Sequence, residues 1–73
     1  MAEVIRLAGL VPMRELAGIS QAELARRLDV SRQAVSSWES GEKWPTPDRL
    51  PQIAGILGCS IDELYTGRGG ANV

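Results

Sequence analysis

The side chains able to carry proton-transfer, nucleophilic or metal chemistry in this sequence are sparse and scattered. Histidine is absent, cysteine occurs once, as Cys59, and Glu15, Glu23 and Glu39 fall on what read as separate helices. General acid–base work needs two groups converging on one reacting atom, so carboxylates spread in this way read as solvated, capping or ion-paired. A single thiol makes no internal disulfide, and without histidine no cysteine-based zinc set can be assembled. Cys59 sits in the apolar stretch 56–61 with no neighbour to stabilise a thiolate, and reads as a small buried hydrophobe. No glycine-rich phosphate loop is present, and 73 residues leave little room for a substrate cavity. The expectation is a protein without catalytic residues, metal, cofactor or small-molecule ligand, which works by binding rather than as an enzyme.

The remaining chemistry is polar and cationic. Arg26, Arg27, Arg32 and Lys43 gather in the middle of the chain, whereas Asp48, Asp62 and Glu63 fall in its last third. The net charge of −1 argues against coating a polyanion by bulk electrostatics, yet this asymmetry leaves one face able to be positive. Taken alone, Arg32 and Gln33 read as the solvated start of a helix, because exposed polar residues are the norm there.

Helices must position these groups. Ser20, followed three residues later by Glu23, has the grammar of a capping box opening a helix over 21–28, with Leu24, Ala25 and Leu28 on its apolar face. Ser31 caps the next helix, on which Val35 and Trp38 form the buried stripe, and Ser40-Gly41 ends it through a left-handed glycine. Only residues 29–31 separate the two, so the helices must cross steeply, with Ala22 and Ala25 as the small surfaces that let them approach. If the turn needs a positive backbone angle, position 29 would suit glycine best; Asp29 tolerates that region better than most residues, with a small strain expected there. After a proline-bearing loop, Thr46 is expected to cap a fourth helix with Pro47 first and a stripe of Leu50, Ile53, Ala54 and Leu57 up to Gly58, distorted by Pro51. Ser60 caps a last short helix over 61–65 with Leu64 inward. Pro12 either divides the first segment into pieces over 3–10 and 12–17 or kinks a single helix. The division expected is one domain over 1–66 and a structureless tail over 67–73. No run of about 18 apolar residues offers a membrane span, and the first ten residues lack the pattern of a signal peptide, which points to the cytoplasm.

The continuous run from Gly18 to Gly41, GISQAELARRLDVSRQAVSSWESG, resembles the Cro/CI-type (XRE) helix-turn-helix family of small transcriptional regulators. The likeness extends more loosely through Pro45 and 53–64, and so covers nearly all of 14–65. It implies an all-α, compact five-helix bundle of the phage-repressor-like DNA-binding type. Its third helix, over 31–39, would enter the major groove, commonly as a homodimer on a two-fold operator. Position by position, Arg32, Gln33, Ser36 and Ser37 match the base-reading face. Gln21 and the Ser40-Gly41 backbone match phosphate-contacting positions, and Lys43 would add a phosphate contact. The chemistry suits the transfer: arginine reads guanine bidentately, glutamine reads adenine, and serine takes either edge. Arg14 and Glu39 match a partly buried ion pair that supports the recognition helix, and Trp38 is expected in the core. Trp44 is open between a partner-facing anchor and a lid over the core. Asp29, Pro51 and Pro12 depart from the family pattern, away from the reading face.

Two functions compete. In one, the chain is a sequence-specific regulator, a repressor that occupies a double-stranded operator. In the other, the fold serves as a protein-interaction module or antitoxin-like adaptor, which the mild acidity allows.

Overall fold

The computed structural model describes residues 7–66, and within them the chain is all helical. The helices are α1 (Leu10–Leu16), α2 (Gln21–Leu28), α3 (Arg32–Ser40), α4 (Arg49–Leu57) and α5 (Ile61–Thr66). The expected piece over 3–10 begins outside the described residues, and the expected tail over 67–73 lies outside them altogether.

Each helix start can be traced to its residues. Ser20 is extended and its Oγ accepts from the Glu23 amide at 3.0 Å; Ser31 does the same for the Ala34 amide at 3.0 Å. The reciprocal half of a capping box forms at neither of these starts. Glu23 turns its carboxylate to Arg26 and Arg27 instead. The full box is at α5, where Glu63 Oε1 accepts from the Ser60 amide at 2.8 Å and Ser60 Oγ accepts from the Glu63 amide at 3.1 Å.

Of the four prolines, the two that fall within helices are absorbed at helix starts. Pro12 is the third residue of α1 and Pro51 the third of α4. There the missing N–H is one of the four a helix cannot satisfy internally, and no carbonyl of a preceding turn meets the ring. Pro12 therefore neither splits nor kinks α1, and α4 begins at Arg49, two residues later than Pro47. Thr46 does not cap it: the Arg49 amide donates to the Thr46 carbonyl at 2.8 Å in a tight turn. The Thr46 side chain hydrogen-bonds the Asp48 carboxylate and, with Asp48's own backbone amide, holds it below its ordinary pKa.

The core is one apolar cluster. Leu10, Leu24, Val35, Ile53 and Leu64, one from each helix, are wholly buried, and Ala25 and Trp38 pack with them. Burying a side chain of this size is worth about 1.5–3 kcal/mol, so five helices too short to stand alone hold one another in place. Between α2 and α3, Ala25 is buried at the crossing, whereas Ala22, expected there too, is exposed. Asp29 takes the left-handed conformation at φ 61°, ψ 44°, and the Val30 amide donates to the Ala25 carbonyl at 3.0 Å. This elbow ends α2 and aims α3 across it. The ends of the chain's described part meet where the Gly9 amide donates to the Leu64 carbonyl at 2.8 Å.

Candidate functional site

α3 presents its polar side outward. Val35 and Trp38 lock one side of the helix into the core, which leaves Arg32 and Gln33 exposed and Ser36 and Ser37 half-buried on the rest. Beside this face, Gln33, Ser37, Lys43 and Trp44 line part of an open hollow of about 370 Å³, with Trp38 as a wall. The loop after α3 closes on the helix: the Lys43 amide donates to the Ser37 carbonyl at 3.2 Å, fixing where Lys43 leaves the helix end.

The turn at Ser40-Gly41 spends its polar groups internally. Gly41, at φ 86°, gives its amide to the Trp38 carbonyl at 3.3 Å. Ser40 Oγ donates to the Ser37 carbonyl at 3.1 Å and accepts from the Glu42 amide at 3.3 Å. Its positive charge is that of the exposed Lys43, which follows the exposed Glu42 in the chain.

Behind the face lies an ion pair. Arg14 Nε donates to Glu39 Oε2 at 2.7 Å and a second nitrogen reaches Oε1 at 3.4 Å, while Nη1 donates to the Ile19 carbonyl at 2.9 Å. Both side chains are about nine-tenths buried. The pair ties α1 to the end of α3, a fork geometry that fixes direction as well as distance. Gln21 joins it: Nε2 donates to Glu39 Oε1 at 2.7 Å, and Oε1 accepts from Arg32 Nη1 at 3.2 Å. Arg32 and Glu39 share a face of α3, seven residues apart, but no helical period extends to Arg14 and Gln21, which lie on α1 and α2; Gln21 and Arg32 are each the first residue of a helix, and the elbow brings those starts together.

The cationic cluster is weaker than its count suggests. Arg26 and Arg27 both bond Glu23, and their hydrogen bonds hold that carboxyl at about 2, from an ordinary 4.5. Glu at position 23 with Arg three and four residues on is the helical ion-pair spacing, and of the solvated, capping and ion-paired readings open to Glu23 the ion pair is the one its carboxylate takes. Arg49 gives Nη1 to the Leu28 carbonyl at 2.8 Å, closing the end of α2. Cys59 is half-buried against the core rather than fully inside it, and burial, with the Glu63 charge behind it, raises its thiol pKa. Trp44 and Tyr65 pair with ring centroids 6.0 Å apart, each about 40% exposed. Among the described residues no group of three or more His, Cys, Asp or Glu is placed to hold a metal ion.

A polar helix start on a buried stripe, reached through a three-residue elbow from a capped helix, is the arrangement captured by the helix-turn-helix family model, which matches residues 13–64. The chain belongs to the helix-turn-helix family. Among relatives of this helix-turn-helix chain, the HTH-type transcriptional activator BcrR of Enterococcus faecalis is 40% identical over 58 residues, covering 80% of this chain and 28% of that protein. The cryptic phage CTXphi transcriptional repressor RstR of Vibrio cholerae is 38% identical over 55 residues, covering 75% and 49%. The 26 kDa repressor protein of Escherichia phage HK022 is 40% identical over 45 residues, covering 62% and 19%. The chain thus spans half or less of the length of these curated relatives. A crystal structure of the P22 c2 repressor protein in complex with synthetic operator 9T superposes with a TM-score of 0.73 at 34% identity, covering 86% of this chain and 98% of that one.

Proposed function

We propose that the chain binds a double-stranded DNA operator as a sequence-specific transcriptional regulator, a repressor that excludes other proteins from its site, with α3 in the major groove. The observation that carries this is the exposure of Arg32 and Gln33 at the capped start of a helix whose opposite side is locked in the core. A groove-reading helix must be both polar outward and immobile. The P22 c2 repressor in its operator complex has the same fold, which supports the placement. Arg32 would take a guanine edge, Gln33 an adenine edge, and Ser36 and Ser37 adjacent acceptors or donors. Lys43 would meet a phosphate, with Gln21 and the Ser40-Gly41 turn alongside it. The function is one of binding rather than catalysis and belongs to the cytoplasm; no described helix is long and apolar enough to cross a membrane. The active unit is residues 1–66, and it acts as a homodimer on a two-fold site. The exposed Trp44–Tyr65 pair, with the exposed Ile61 one helical turn before Tyr65 in α5, supplies apolar area for that contact.

Selection from a random duplex pool with the purified protein tests the proposal. The expected product is one enriched sequence with two-fold symmetry, and Gln33→Ala relaxes preference at a single base pair per half-site, by about 1–3 kcal/mol. Failure to enrich any sequence, even at low salt, overturns it and favours the adaptor function.

A further inference from the structure

Away from the reading face, α2 and α4 border a second hollow of about 500 Å³, open to solvent. Its polar rim consists of donors. Arg27 gives Nε to Glu23 at 2.7 Å, and Arg49 gives Nη1 to the Leu28 carbonyl at 2.8 Å and to Gln52 Oε1 at 3.2 Å. A guanidinium carries five N–H donors and no acceptor, so both arginines keep donors that bond no described residue. Because Arg49 only donates, Oε1 of Gln52 faces it, and the Gln52 amide nitrogen is a further unbonded donor. Among the described residues no carboxylate lines the hollow: Glu23 and Asp48 lie outside its lining. Pro51 and Ile56 give it an apolar side, with Gly55 beside them. We propose that this hollow docks an acidic segment of a partner protein, which sets a carboxylate against Arg27 and Arg49 and an apolar side chain over Gly55.

Gly55 is the second observation that points outward. It is the seventh residue of α4, inside the helix, where glycine is a weaker former than any residue but proline. Its φ is not positive, and a Cβ there would meet nothing within 4 Å. Neither the backbone nor the packing of this chain therefore asks for glycine; its effect is to keep one side of the hollow low enough for another chain to approach. The charge decides the occupant's sign, since unbonded guanidinium forks match a planar anion. The apolar side decides its class, because a peptide has side chains to bury there and a sugar-phosphate backbone does not. Position agrees. α2 runs from Gln21, beside the reading face, to Leu28, at the hollow, about 10 Å along the axis at the helical rise. The hollow shares no lining residue with the one beside α3, so a docked partner leaves the reading face open. The inference goes beyond the DNA-binding proposal and does not depend on it.

The test is selection from a random-peptide library displayed on phage, with the whole chain as bait, followed by anisotropy titrations of the selected peptides. The expected peptides share an aspartate or glutamate beside an apolar residue. Gly55→Glu places a side chain and an opposing charge in the hollow, and is expected to weaken them on the order of tenfold or more. Arg27→Gln, which leaves Glu23 bonded to Arg26, is expected to weaken them in the same direction. Thermal melts establish that each variant is folded, and if one is not, the other still decides. Duplex DNA binding by both variants is expected to match the parent. A library that enriches nothing, enriched peptides without carboxylates, or selected peptides indifferent to both variants overturns the inference. So does a loss of duplex binding in both variants, which would assign the hollow to phosphates.

Discussion

Removing the Arg14 side chain leaves a carboxylate with a tenth of its surface in water and only Gln21 to answer it. Breaking a buried pair on one side costs about 3–5 kcal/mol, because the surviving charge keeps its desolvation penalty without its partner. Arg14 also gives a bond to the Ile19 carbonyl, which would be lost with it. Arg14→Ala is therefore expected to lower Tm by more than about 10 °C, given the small unfolding entropy of a domain of this size. An unchanged melt would show the pair to be dispensable. At this scale the sequence was informative where a side chain acts on near neighbours. Ser20 and Ser31 announce their caps, and Trp38 follows Val35 by one helical step. It was silent where partners are far apart in the chain: Arg14 and Glu39 were paired by family resemblance, not by spacing, and the bonds of Gln21 appear only when two helix starts meet.

Among the elements, α2 carries its own pH sensor. Glu23 lies in the first turn, where the helix dipole favours an anion, and bonds both Arg26 and Arg27. Its folded pKa of about 2 lies below the ordinary 4.5, so its contribution to stability is fully present above about 4.5 and is lost as pH falls toward 2. Glu23→Gln should thus lower Tm at pH 6, with the gap to the parent protein narrowing below about pH 4.5 and largely closed only by about pH 2, as followed by circular dichroism. A gap that stays constant across that window would assign the effect to packing. Asp48, also held low, contributes acid sensitivity in both proteins and so does not close the gap. Where sequence misplaced an element, the reason is local. Thr46 and Pro47 have the types that open a helix, but the tight turn at Thr46 postpones α4 to Arg49, and this shift brings Pro51 into the first turn, where it is harmless. The elbow shows the reverse. Asp29 was legible as the residue that would take a left-handed conformation should the three-residue link need a positive backbone angle, and φ of 61° shows that it does.

For the molecule as a whole, a net charge of −1 and a proposed polyanionic partner are compatible only if few cations do the work. Arg14, Arg26 and Arg27 are ion-paired, and Arg49 is bonded to a helix carbonyl and Gln52. Among the described residues, that leaves Arg32 and Lys43 as the cations of the reading side whose charge no described carboxylate neutralises by a direct bond. Each phosphate neutralised releases counterions and adds about −0.9 to the slope of log K against log salt. The expected slope is shallow, roughly −1 to −2 per protomer with Lys43 on a phosphate and Arg32 mainly on a base, far from that of proteins that coat DNA by charge. Lys43→Ala should weaken binding by a similar factor on every sequence and reduce the slope by about 1. Arg32→Ala should change sequence preference as well, because its guanidinium is placed to meet a base rather than only the backbone. Titrations of a fluorescent operator between 50 and 200 mM salt, roughly the range over which phosphate contacts dominate, separate the two variants. A slope several times steeper than this would mean that cations now held in pairs are released on binding. The static face described by α3 and its loop would then be only part of the contact surface.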